Sequence, residues 1–365
     1  MKTASTLRLL RPDELDAAHL SVWSALRRSC ASLESPFFAP DYLRAVAAEH
    51  AGVELGVAEQ DGEPVAFLPF QRLGRRHGAP VGRRLCDFNG IIATPEVDLA
   101  VPEIVSACGL SVWRFDHAPV EQQALRPYHR RVSRSPLLDL SDGFDAYARA
   151  QRAGGSALIP QIQRKARKAA REVGPLRFEW QTDEPEVLAA LLRWKGQQRR
   201  RTDTVDPMQA PAARALVERL WHTDTTELGG VLSALWIGDE LAAAHFGLRS
   251  DTVLHFWFPG YGDGLARYSP GLILLLELAR GAAARGLQRL DLGKGEERYK
   301  RQLMTGEVAL AEGQVAVGAL HQAWGEVRYG ALAVARSRPM RGAVRVSKRA
   351  VRRALYALGR LKTGG

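Results

Sequence analysis

The sequence predicts a mixed α/β protein made of two similar halves followed by a basic tail, and three observations lead there. Short apolar strand-like runs alternate with segments of helical periodicity along most of the chain. Two hairpin signals, Asp61-Gly62 and Gly238-Asp239, each follow a pair of helices, so the second half repeats the order of the first. The length of 365 residues also exceeds that of a usual single domain.

In the first half, Leu15, His19, Val22, Trp23 and Leu26 fall at helical spacing, which predicts a helix over 13–29. Ser35 to Pro40 is a turn and Pro40 to His50 a second helix. Val53–Glu59 and Pro64–Phe70 read as hairpin strands around Asp61-Gly62. A loop rich in arginine (Arg72, Arg75, Arg76, Arg83, Arg84) leads to Cys86-Asp87-Phe88-Asn89-Gly90. A helix near 102–107 and a strand near 111–115 close this half. Pro136 and Asp142-Gly143 punctuate the pattern, so the boundary is expected between Ser133 and Gly143, with domains of 1–135 and 136–330.

The second half opens with a basic helix inside 153–173, then a strand at 176–180 and helices over 185–200 and 211–222. A hairpin follows, 230–237 and 241–249, turning at Gly238-Asp239. The run Val253-Leu254-His255-Phe256-Trp257-Phe258 reads as a buried strand and Pro259 to Gly264 as a glycine-rich turn. Ser269 is placed as the N-cap of a helix, with Pro270 at the first helical position and Gly271 behind it. That helix is expected to stop near Gly286, before a short strand at 289–292 and another helix from Glu296. Amides at an open helix start carry partial positive charge and suit a pyrophosphate, and Gly271 lets a ligand approach the backbone. An ordinary capped core helix explains the same residues.

Composition narrows the classes. Hydrophobic and charged fractions of 46% and 25% are those of a folded globular protein, not a disordered one. Three widely spaced cysteines, Cys30, Cys86 and Cys108, form neither a disulfide framework nor a metal motif, and imply a reducing compartment. The first residues lack the apolar core of a signal peptide, and no apolar run is long enough to span a bilayer, so a cytoplasmic location is expected. Of the net charge of +11, ten Lys or Arg lie between Arg336 and Lys362, where no Asp or Glu occurs. The body is therefore nearly neutral, and a polyanionic partner concerns the tail, 331–365. In that tail Val344, Val351, Leu355, Leu358 and Leu361 form one stripe between arginines, a basic amphipathic pattern suited to an anionic membrane surface or to docking on the body. Nucleic acid is disfavoured, because the body is nearly neutral and no surface interleaves aromatic and basic residues. No P-loop, nucleophile elbow or metal motif is present, so no metal is expected.

Tyr268-Ser269-Pro270-Gly271-Leu272 and the run from Asp291 to Lys300 (Asp-Leu-Gly-Lys-Gly-Glu-Glu-Arg-Tyr-Lys) resemble the GNAT acyl-CoA N-acyltransferases. The branch most similar is the one named for the cellulose-biosynthesis protein CelD, over roughly residues 135–317. Arg267 to Gly271 stands where the superfamily carries Arg/Gln-x-x-Gly-x-Gly/Ala. The resemblance implies tandem GNAT folds with a degenerate first copy, and acyl-CoA as co-substrate held by Phe258, Tyr268, Ser269, Pro270, Gly271, Leu272 and Lys300. It implies transfer to an amine or hydroxyl acceptor, a small molecule or glycan, in polysaccharide or envelope synthesis. It also places Tyr299 as the acid that protonates the leaving thiolate. From the residues themselves, His245 and His255 interrupt apolar strands and are candidate bases, or hydrogen-bonded core histidines. Asp291 and Glu296 are carboxylates that orient an acceptor or act as base, and the glutamate alternatively caps a helix. The basic runs Arg164 to Arg171 and Arg193 to Arg201 are solvated faces or a rim for phosphate. Two further readings stand beside the first: an aminoacyl-tRNA-dependent Fem-type transferase, and an inert scaffold brought by the tail, peripherally, to the inner face of a membrane.

Overall fold

In the computed structural model, which describes residues 2–3, 6–202, 204, 206–323 and 325, a single sheet runs through both halves of the chain. The elements of the first half are β1 (Lys2–Thr3), β2 (Thr6–Leu10), α1 (Ala17–Ser29), α2 (Pro40–Glu49), β3 (Val53–Gln60), β4 (Glu63–Leu73) and β5 (His77–Ala79). They continue with β6 (Ile92–Ala93), β7 (Val97–Asp98), α3 (Val101–Ala107), β8 (Val112–Pro119) and β9 (His129–Asp139). The second half contains α4 (Phe144–Ala153), α5 (Leu158–Glu172), β10 (Leu176–Glu179), α6 (Pro185–Arg201), α7 (Pro211–Trp221), β11 (Gly229–Ile237) and β12 (Glu240–Arg249). It ends with β13 (Val253–Tyr261), α8 (Pro270–Ala283), β14 (Arg289–Asp291), α9 (Arg298–Leu303) and β15 (Gly306–Ala316).

The strand order is β10-β11-β12-β13-β14-β9-β15-β8-β5-β4-β3-β2, and it has the same pattern from either end. All neighbours are antiparallel except one pair in each half, β13 with β14 and β5 with β8. Parallel neighbours need a crossover, and α8 and α3 supply it in the two halves. At the centre the last strands are exchanged. β9 closes the first half in sequence but pairs with β14, while β15 closes the second and pairs with β8. β9 and β15 also pair with each other, so residues 133–139 lie in a shared strand.

Local chemistry explains the elements. Asp61 and Gly62 take left-handed conformations, φ 52° and 83°, which the β3–β4 turn demands. Proline opens α2, α6, α7 and α8 at the first helical position, where no N–H is needed. The helices of the two halves share one apolar cluster: Phe37, Leu43 and Val46 meet Leu216, Leu220 and Trp257 in it. On the opposite face of the second half α8 is buried on several sides, with Ile273, Leu274, Leu275 and Leu278 packed among Phe144, Ile159 and Ile162.

Two local expectations are corrected. Pro259-Gly260-Tyr261 is not a turn, because β13 continues through Tyr261 and stays paired with β12. Ser269 sits at the N-cap position with left-handed backbone, φ 58° and ψ 54°, and its hydroxyl does not cap the helix. Among the described residues no helix is long and apolar enough to cross a membrane. The basic tail, 331–365, lies outside the described residues.

Candidate active site

The parallel ladder of β13 and β14 ends at His255 opposite Asp291. Beyond that point β13 continues beside β12, while the chain after Asp291 turns away through Gly293, whose φ of 71° suits glycine. The parting strands open a cleft of about 850 Å³. One wall is β13, with Phe256, Trp257 and Tyr261, and the other is the loop of Gly293, Lys294 and Glu297 with Tyr299 and Lys300 behind it. Helix α6 runs along the cleft and contributes Trp194, Lys195, Gln198 and Arg201. The first half of the chain adds Asp87 and His117.

At one end lies the start of α8, lined by Ser269, Gly271 and Leu272. Leu272 and Ile273 donate their N–H groups to Ser269 O at 3.0 and 3.2 Å, and Pro270 has none. Among the described residues nothing accepts from the N–H of Gly271. The ammonium of Lys165 donates to Ser269 Oγ at 2.7 Å. A cation beside the positive end of a helix is unfavourable alone and complementary to an anion placed there. The rest of that basic helix behaves as a solvated face: Arg164, Arg167, Lys168 and Arg171 are exposed. Arg201 forks onto Asp263 at 3.1 and 2.6 Å at the same end of the cleft.

The other end is built on buried charge. His255 is 1% exposed, with Asp87 Oδ2 3.0 Å from Nε2. Asp291 Oδ1 is 3.3 Å from Nδ1, close enough for charge attraction though not aligned as a hydrogen bond. Burial pulls this histidine's pKa down, but Asp291 and Asp87 outweigh it and raise it to about 9. Asp291 Oδ1 also accepts from Ser135 Oγ at 2.6 Å and from Gly293 N–H at 2.7 Å. Lys300, 5% exposed, donates to Gly293 O at 3.0 Å and pairs with Glu297 at 3.3 Å, so it braces the loop. Burial lowers the pKa of Lys195 to about 8, with Arg199 adding to the shift.

The expected site residues separate accordingly. Tyr299 lines the cleft, and burial followed by the charge of Glu297 pushes its pKa well above the ordinary value, so it holds its proton. Ser269, Gly271, Leu272 and Lys300 also line the cleft. Phe258 does not: it is buried against Trp257, ring centroids 4.3 Å apart. Tyr268 is 1% exposed and donates its hydroxyl to Glu172, and Pro270, two residues on, is buried as well. His245 is fully buried one layer behind the wall, stacked on Phe256 at 4.7 Å, and neither ring nitrogen has a hydrogen-bond partner. Burial, followed by repulsion from His255, lowers its pKa to about 3. A histidine that cannot be protonated there is a poor proton acceptor, and His255, already cationic, is another. Asp291 is 4% exposed and anchors the loop. Glu296 is exposed and outside the cleft, and the N-cap is Glu297, one residue on, without a side-chain cap bond.

Sequence reasoning missed Asp87, His117, Trp194, Asp263 and Glu297 as cleft residues. A carboxylate between Cys86 and Phe88, both buried, was the available signal for Asp87. Among the described residues no group of three His, Cys, Asp or Glu is arranged to hold a metal ion.

Residues 160–301 match the family described as acetyltransferase (GNAT) domain, a stretch from α5 into α9 that includes β13, α8 and Tyr299. Among solved structures the fold is similar to that of FemX, at 9% identity and TM-score 0.58, over 89% of this chain and 100% of that one. It is similar to the C-terminal domain of a protein titled "Putative Lysylphosphatidylglycerol Synthetase" from Agrobacterium fabrum, at 10% identity and TM-score 0.52, over 84% and 94%. A tandem GNAT protein from the clavulanic acid biosynthesis pathway is similar at 11% identity and TM-score 0.43, over 86% and 99%. No curated protein matches the sequence. The chain is thus a mixed α/β protein whose two halves share one strand pattern, and most of the cleft lies in the stretch that matches the acetyltransferase (GNAT) domain.

Proposed function

We propose that the protein is an acyl-CoA-dependent acyltransferase that moves an acyl group to an amine or hydroxyl acceptor, a small molecule or glycan, in polysaccharide or envelope synthesis as in the CelD-like branch. The observation that carries this is the cleft itself, which runs from the uncapped start of α8 to Tyr299. The Gly271 N–H, the adjoining Ser269 and the ammonium of Lys165 would hold the phosphates of the donor. The apolar wall of Phe256, Trp257, Leu275 and Leu292 suits the arm that carries the thioester. Neutral acceptor attacks the thioester carbonyl, a C–N or C–O bond forms, the C–S bond breaks, and the thiolate takes the proton of Tyr299. The phenolate is then reprotonated by the proton the acceptor sheds. A phenol kept protonated by burial is matched to that duty.

Isothermal titration with CoA, and thiol release from acetyl-CoA in a panel of amines and sugars, test the proposal together. Binding and acceptor-stimulated release are expected. If no acyl-CoA binds, the reading is wrong; a tRNA mobility shift then distinguishes a Fem-type donor from an inert scaffold.

A further inference from the structure

The half of the chain outside the matched domain contributes a charged group to the cleft, and its setting is built rather than incidental. Asp87 lies on a short loop held from both sides: Tyr42 donates its hydroxyl to Leu85 O at 2.7 Å, and the Cys86 thiol donates to Phe88 O at 2.9 Å. The Phe88 ring stands edge-on to His255 at 5.9 Å. One carboxylate oxygen of Asp87 is taken by His255, and the side chain is 29% exposed where it lines the cleft. The other oxygen has no partner among the described hydrogen bonds.

Two carboxylates, Asp87 and Asp291, flank one imidazolium, so the buried set carries net negative charge. Asp291 is 4% exposed, with one oxygen taken by Ser135 and Gly293, which leaves Asp87 as the exposed outlet of that charge. The neighbouring ammonium of Lys300 also favours the Asp87 carboxylate, but it is paired with Glu297 and bound to Gly293 O, so the group with both added stays net negative. His117, the other first-half residue in the cleft, turns a ring nitrogen to Asp116 at 3.0 Å. A hydroxyl would leave the excess charge in place, whereas an ammonium would balance it.

Resting on the acyltransferase reading, we infer that Asp87 is the residue that binds the acceptor, and that it does so by receiving at the floor of the cleft a primary ammonium of the acceptor other than the neutral amine or hydroxyl that attacks. His255 holds the carboxylate ionised and aimed: burial works against ionisation of Asp87, and the hydrogen bond and charge of His255 reverse it, lowering its pKa. The first half of the chain is then part of the active site, and acceptor choice is divided between the halves.

The experiment is calorimetric titration of the protein, without donor, with putrescine, glucosamine, lysine and their alcohol analogues. At least one amine binds the wild-type protein and its alcohol analogue does not. Asp87→Asn loses about tenfold or more in amine affinity, Asp87→Glu recovers part of it, and CoA affinity is unchanged. If Asp87→Asn fails to fold, carbodiimide labelling of Asp87 in the wild-type protein is read by mass spectrometry, and the amine suppresses it. Equal amine binding by Asp87→Asn, equal binding of alcohols, binding of no amine, or unsuppressed labelling each overturns the inference. Failure of CoA to bind is a separate result and strikes the acyltransferase reading instead.

Discussion

Removing the charge on His255 is the perturbation with the most calculable consequence. In the folded protein its pKa is raised to about 9, against an ordinary value near 6.5. A group whose pKa is raised by folding contributes its full stability below the unfolded value and loses it as pH climbs through the folded value. The contribution is therefore present at pH 6 and gone by about pH 9 to 10, and the displacement corresponds to about 3 kcal/mol. Lys195 works in the opposite direction, since burial lowers its pKa to about 8, so wild-type stability alone mixes the two. The difference between wild type and His255→Gln isolates the histidine. Urea denaturation should show a gap of about 3 kcal/mol at pH 6.5 that narrows steadily towards pH 9.5. Nitrogen NMR of the imidazole should show both nitrogens protonated at pH 7.5. A gap that does not change with pH, or a singly protonated ring at pH 7.5, would refute the charge assignment and the Asp87–His255–Asp291 arrangement built on it.

Tyr299→Phe removes the phenol hydroxyl of a residue that lines the cleft while keeping the ring. Thiol release should fall by about a hundredfold or more, with CoA affinity unchanged by calorimetry, and equal rates would rule out the proton-donor role. Lys195, with its pKa near 8, should react with an amine-directed acylating reagent at pH 8 ahead of the exposed lysines, and CoA or an acceptor should protect it. Peptide mapping by mass spectrometry reads this, and labelling at the rate of ordinary lysines would contradict the burial described.

Local signals located many of the elements, though not β2, β9, α4 or β15. Proline and glycine marked α2, α6, α7 and α8, and the turns Asp61-Gly62 and Gly238-Asp239 marked both hairpins. Neither β9 nor β15 was expected as a strand, and their exchange was not legible, because strand partners 150 or more positions apart leave no periodic trace. For the same reason Asp87 and His117 were missing from the expected site, although the approach of Asp87 to His255 spans 168 positions. Within the second half, small offsets decided the outcome. The phase of α9 places Glu297, not Glu296, in the cleft. Ser-Pro-Gly reads as a capped helix start, but the left-handed backbone of Ser269 turns its hydroxyl to Lys165. His245 and His255 looked alike in sequence, as single histidines in apolar strands. Only the packing separates them, one stacked on Phe256 without a polar partner and the other clamped between two carboxylates.

The most direct test of the account compares CoA with pantetheine by calorimetry, on the wild-type protein and on Gly271→Val. A Cβ at residue 271 would already stand 3.2 Å from Tyr261 Cδ1, so a branched side chain there covers the start of α8. The account predicts that CoA binds the wild type more tightly than pantetheine and that the substitution removes the difference. Equal binding of the two ligands, or full retention of CoA affinity in Gly271→Val, would contradict it.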